Sequence, residues 1–179
     1  MAKKYSLLLI IVVLSAFSFI NAQQQNQPVF TKVPVINGKV IFQQFIHVDR
    51  NLTTSQQYAL LSKWSKANFA GSSNLSSIRF DEKNQSVTVS SKTELLLPEN
   101  ADKVREKIIM NYRFDASITN AGCVLIFRDI TYQNAERTGN SFFPVTYSAE
   151  EMITDEVVSV PSESQELKKN VRKASLAFF

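Results

Sequence analysis

The chain has 179 residues, with 20 lysines and arginines against 16 aspartates and glutamates and a formal charge of +4. That length suits one domain with its own core, and so weak a field argues against binding polyanions, nucleic acid included. One cysteine, Cys123, excludes an internal disulfide, and four glycines leave nothing from which to build a phosphate-cradling loop.

The first element is a leader. Met1-Ala2-Lys3-Lys4 is basic, residues 7–20 are almost unbroken apolar sequence, and small Ala22 precedes the polar string that begins at Gln23. Charge, apolar run and small residue in that order make a secretory signal peptide over residues 1–22, cleaved near Ala22. The run is short for a membrane span and lacks a basic stop-transfer flank, so the mature chain is expected to hold no transmembrane segment. Gln23 stands where a bacterial lipoprotein needs its acylated cysteine, so the protein is not read as a lipoprotein. An exported chain that folds by packing rather than by disulfides fits a bacterial envelope, as a periplasmic or secreted product.

Residues 23–36, with Pro28 and Pro34, read as a flexible arm carrying an edge strand near 29–35. After the Asn37-Gly38 turn, residues 39–48 are β-branched and aromatic. They form a strand that places Val40, Phe42, Ile46 and Val48 on one face. Thr53-Thr54-Ser55-Gln56 has the form of a capping box. Tyr58, Leu61, Trp64 and Ala67 then recur at helical spacing up to Phe69, with Gly71 as the stop.

Strands follow at 78–82 and 86–97 around the turn Lys83-Asn84-Gln85. In the second, Val87, Val89, Leu95 and Leu97 oppose Thr88, Ser90, Lys92 and Glu94. The cleanest alternation is Ile108, Met110, Tyr112, Phe114, Ala116 and Ile118 against Asn111, Arg113, Asp115 and Ser117, a strand with one dry and one wet face. Thr119-Asn120-Ala121-Gly122 turns it into a hairpin partner over 123–132. Residues 100–107 are ambiguous, since Ala101, Val104 and Ile108 have the spacing of a helix start but the alternation prevails from Ile108 on, and 133–147 read as loop. Ser148-Ala149-Glu150-Glu151 caps a short helix through Met152 and Ile153. Ser162-Glu163-Ser164-Gln165 caps a last one, with Leu167, Val171, Ala174 and Phe178 as its apolar stripe and Lys168, Lys169, Arg172 and Lys173 off it.

The expected architecture is α+β: an antiparallel sheet of four to five strands in β-α-β-β-β-β-α order, with helices on one face. The domain spans 37–132, and 133–179 form an extension packed on it.

Five segments resemble a known family: Gly38-Lys39-Val40-Ile41-Phe42, Trp64-Ser65-Lys66-Ala67-Asn68-Phe69, Met110-Asn111-Tyr112-Arg113-Phe114, Phe127-Arg128-Asp129-Ile130-Thr131-Tyr132 and Glu150-Glu151-Met152-Ile153-Thr154-Asp155. The family is number 4468 of the domains of unknown function, bacterial and exported, with a TATA-binding-protein-like fold. The resemblance implies that fold and carries over no catalytic, cofactor or binding residue.

No reactive constellation stands out. His47 is the only histidine and has no second imidazole or thiol with which to form a metal set. The serines lack a Gly-x-Ser-x-Gly elbow, and Cys123 reads as a small core hydrophobe. Glu150-Glu151 and Asp155-Glu156 sit at helix starts, where negative charge offsets the helix dipole. The expectation is a non-catalytic exported domain without cofactor or metal that binds an envelope protein, peptide or glycan. Its candidate surface is the wet sheet face bearing Ser90, Lys92, Asn111, Arg113, Asp115 and Ser117. The alternatives are a hydrolase of envelope polymers working through carboxylates, and a structural protein that self-associates through an exposed strand edge.

Overall fold

Thirteen residues with unbroken alternation make the strand Lys107–Thr119 (β6) the centre of the molecule. The computed structural model describes residues 29–48, 51–99, 103–134 and 145–179; the leader read at 1–22, residues 23–28 of the arm, and most of the 133–147 loop lie outside these. In β6 every second side chain from Ile108 to Ile118 is buried. Ser86–Leu96 (β5) pairs along one side of it and Gly122–Asn134 (β7) along the other, both antiparallel. Leu75–Asp81 (β4) closes the β5 end, and Phe42–Ile46 (β3) pairs with the start of β7. The order is β3-β7-β6-β5-β4.

The sheet has six strands, one more than the upper expected count. The addition is Thr146–Ser148 (β8), in the stretch read as loop, which pairs with the far end of β7. Three residues are too few for a period-two signal, so this strand exists only because β7 offers a free edge there. Val35–Ile36 (β1) and Lys39–Val40 (β2) form a separate hairpin around Asn37 and Gly38, both at positive φ, the pairing expected of an Asn-Gly turn. The single strand read over 39–48 is thus broken at Ile41, whose amide donates to the Pro34 carbonyl at 3.2 Å. Two residues of the arm pack on the sheet, with Val33 buried and the Phe30 ring edge-on to Phe42 at 5.0 Å, while Val29, Val35 and Ile36 are exposed.

One irregularity sets the faces of β7. Asp129 adopts φ 53° at a register shift opposite the Asn111–Arg113 stretch. Cys123, Leu125 and Phe127 point to the dry face; the bulge advances the phase, so that Ile130 and Tyr132 rejoin that face.

Two helices cover it. Thr54–Phe69 (α1) begins with the expected capping box, Thr53 Oγ1 accepting from the Gln56 amide and Gln56 Oε1 from the Thr53 amide. Its stop is as read, with the Ala70 amide on the Lys66 carbonyl and Gly71 at φ 88°. Its buried stripe is rotated from expectation. Gln57 and Ser65 are buried with Tyr58, Leu61, Ser62 and Phe69 beside them, whereas Ala67 is exposed and Trp64 remains 48% exposed. Small Ser65 faces the strands and lets the helix approach; the large indole is displaced to the flank, edge-on to Phe69 and Phe114.

The last helix, Gln165–Phe178 (α4), follows the short helices Ala149–Met152 (α2) and Asp155–Ser159 (α3). Sequence reading missed α3, which is capped by Thr154. The segment Ser162-Glu163-Ser164-Gln165, expected to cap the last helix, puts Ser164 at the N-cap without a side-chain capping bond. Val171 and Ser175 of α4 are buried. The Ser175 hydroxyl donates to the Val171 carbonyl at 2.8 Å, so Tyr132 donates to Ser175 Oγ across 2.7 Å. Burial raises the Tyr132 pKa well above the usual phenol value, keeping the hydroxyl protonated for that bond. Arg172, read as solvated, pairs instead with Asp155 of α3. No helix among the described residues is long and apolar enough to cross a membrane.

Candidate binding face of the sheet

The face opposite α1 and α4 carries the wet halves of β5, β6 and β7. Register brings the sequence-selected residues together, with Ser90 opposite Arg113 and Lys92 opposite Asn111; Asp115 and Ser117 continue the face opposite Thr88 and Ser86, which were not selected. Two further members come from β7, where Arg128 lies opposite Arg113 and Thr131 opposite Asn111. Sequence reading left both out. Alternation from Cys123 already places Arg128 on the wet side, but the Asp129 bulge hides the position of Thr131 from any strict period.

Asp115 is the hub. Its Oδ1 accepts from Thr88 Oγ1 at 2.7 Å and from Arg113 Nε at 3.2 Å, and its Oδ2 from Arg128 Nε at 2.7 Å. Arg128 Nη1 also reaches Asp129 at 3.3 Å. Two arginines directly opposite each other on neighbouring strands would repel; the carboxylate between them removes that cost. Burial pulls the Asp115 pKa up, but the Thr88 hydroxyl and the two guanidiniums outweigh it, and the group sits below the ordinary carboxylate value. The hydrogen bond from Asp115 in turn raises the Arg128 pKa. The Asp115 side chain is only 18% exposed, against 35% for Arg113 and 37% for Arg128. The anion is therefore sunk in the sheet and the two cations stand proud of it, each with guanidinium N–H groups left over for another acceptor. Asn111 Nδ2 lies 3.5 Å from Thr131 Oγ1, a weak contact that leaves the amide adaptable.

The remaining candidates have structural duties. Glu150 Oε1 accepts the Val40 amide at 2.8 Å, tying α2 to β2. Glu151 Oε2 accepts the Ser148 amide and hydroxyl in a second capping box, and the backbone bond followed by the hydroxyl bond lowers its pKa. His47 is exposed, its ring edge-on to Phe45 at 4.9 Å. Cys123 is buried, and burial pushes its thiol pKa up, away from the reactive thiolate. Among the described residues no three metal-ligating side chains gather.

No protein-family model and no curated protein matches the chain. Solved structures do. A TATA-binding-protein-like protein from Parabacteroides distasonis superimposes with a TM-score of 0.67 at 24% identity, over 82% of this chain and 88% of that one. A protein of family 4468 of the domains of unknown function, from Bacteroides ovatus, gives 0.66 at 18% identity, over 87% of this chain and 88% of its own. The chain therefore has the TATA-binding-protein-like fold, and the family it resembles through its packing motifs is represented among the structures it matches.

Proposed function

We propose that the chain is an exported, non-catalytic envelope domain that binds a protein, peptide or glycan on the open polar face of its sheet. The observation that carries this is the pair of guanidiniums of Arg113 and Arg128, both held by the half-buried Asp115 on a face that α1 and α4 leave uncovered. Arginines locked from below lose little further freedom when a ligand arrives, and their planar forks suit a carboxylate or a pair of hydroxyls. An acidic glycan or an acidic peptide has that chemistry. The name of the fold adds no nucleic-acid role, because function resides in sites rather than folds. A hydrolytic reading through Glu150 and Glu151 is disfavoured, since both carboxylates already accept backbone amides.

Arrays of acidic glycans and acidic peptides, probed with the protein and with Arg113→Ala and Arg128→Ala, test the site. The expected result is a ligand held by the wild type and weakened about tenfold or more in each variant. A ligand bound equally well by all three proteins would refute the assignment, as would turnover lost with Glu150→Gln. Cell fractionation tests export: a cleaved chain in the envelope or medium is expected, and an uncleaved cytosolic chain removes that half of the reading.

A further inference from the structure

A corner of the dry face is left bare where α1 stops short of β3. Ile46, Val48 and Leu125 line its sheet side and Leu60 and Trp64 of α1 its wall, around a cavity of about 390 Å³. Gln57 also lines it. This side chain is only 7% exposed; its Nε2 donates to the Leu52 carbonyl at 3.0 Å, while its Oε1 has no donor. A buried acceptor without a partner is costly, and this one stands beside a pocket that has room to supply the donor.

The strand beside the pocket is unpaired on its outer side. β3 is the last strand in the sheet order, and no other described strand bonds to its free edge. From Phe42 to Val48 the sequence Phe-Gln-Gln-Phe-Ile-His-Val has no Lys, Arg, Asp, Glu or Pro, and its pairing with β7 runs without a bulge. Phe45 and Ile46 are both more than a third exposed. Charge, proline and bulges are the usual protections of an edge, and none is present here.

We propose that β3 receives an uncharged, extended peptide segment of another protein as an added strand, one of whose side chains enters the pocket and donates a hydrogen bond to Gln57 Oε1. Backbone pairing supplies the strand addition, and the pocket selects a side chain that is apolar along its length with a donor at its tip, such as tyrosine. The edge and the pocket carry no formal charge, so a charged segment would lose its hydration there without compensation. A second copy of this chain fits poorly: β3 has five residues, and pairing two such edges buries far less than the roughly 1,200 Å² at which stable protein interfaces begin. This site lies on the opposite face from the arginine pair, so either can fail while the other stands.

Trp64 is the only tryptophan and lines the pocket, so its emission reports occupancy. The probe is an acetylated and amidated Thr-Val-Thr-Tyr-Thr-Val peptide. It is compared with a version carrying phenylalanine for tyrosine and with two versions N-methylated at alternate positions. Expected are a saturable emission shift with the parent peptide, loss of binding in one N-methylated version, and about fivefold weakening with phenylalanine. That weakening disappears in Gln57→Met. Ile46→Lys and Leu60→Lys, both at exposed positions, abolish binding while circular dichroism stays native. The proposal is overturned if no saturable shift occurs, if both N-methylated peptides bind like the parent, or if sedimentation shows a dimer that Ile46→Lys splits.

Discussion

At one end of the sheet, β4 carries Arg79 and Asp81 and a register break between Leu75 and Ser77. At the other, β3 is straight, uncharged and lined with exposed Phe45 and Ile46. Both strands end the same sheet and present one row of backbone groups each, yet only β4 is protected in the ways that keep edges from pairing. The difference teaches that edge protection is placed locally, and that the unprotected edge coincides with the bare apolar corner beside Gln57. Asp115 lies between the two edges and ties β5, β6 and β7 together through side chains.

The strongest way to break this contrast is at Gly122. Its φ is 150°, and a Cβ there would lie 2.3 Å from the Ile46 carbonyl oxygen. Gly122→Ala should cost about 2–3 kcal/mol and push β3 off β7. Chemical denaturation gives the size and amide exchange the place: β3 should lose protection while β4 keeps it. A uniform loss along the sheet would mean the two edges are not separable.

Asp115→Asn acts on the middle and should disturb both ends alike. Hydrogen bonds to charged groups discounted for solvent screening give about 1 kcal/mol. The pH dependence has a defined sign. Because the folded-state pKa of Asp115 lies below its unfolded value, its contribution is fully present above about pH 4 and is lost as pH falls through the folded value. Urea midpoints measured from neutral pH downward should therefore drop less steeply in the Asn variant. Parallel curves would show that Asp115 is not the group responsible.

The smallest expected change in stability, within about 0.5 kcal/mol, comes from Arg79→Thr on β4. It sharpens the comparison by removing one of the two charged side chains from the protected edge. Light scattering should then show concentration-dependent association absent from the wild type. If association does not rise, Asp81 and the register break between Leu75 and Ser77 suffice to guard that edge.

Much of this architecture could be read from residue order. The alternation of β5 and β6, the capping boxes at Thr53 and Ser148, the Asn37-Gly38 turn and the six residues selected on the wet face all follow from spacing within a single segment, and all lie where expected. What escaped has other origins. Arg128 sits on the polar face by plain alternation from Cys123 and was simply passed over, whereas Thr131 reaches that face through a bulge made by Asp129 at positive φ, a conformation an aspartate adopts only occasionally. β8 is three residues long and has no pattern of its own. Trp64 looked like core because its spacing fits a stripe, yet the helix turned to bring Ser65 against the strands.

The two- and 3.6-residue periods, the caps and the turns depend on neighbours along the chain, and residue order alone settles them because their energies are local. Helix rotation about its axis, the phase of β7 beyond its bulge, which strand edge stays bare, and the capture of two guanidiniums by Asp115 required the assembled molecule. Each depends on which distant surfaces pack best together, and that competition is decided only when all the elements are in place.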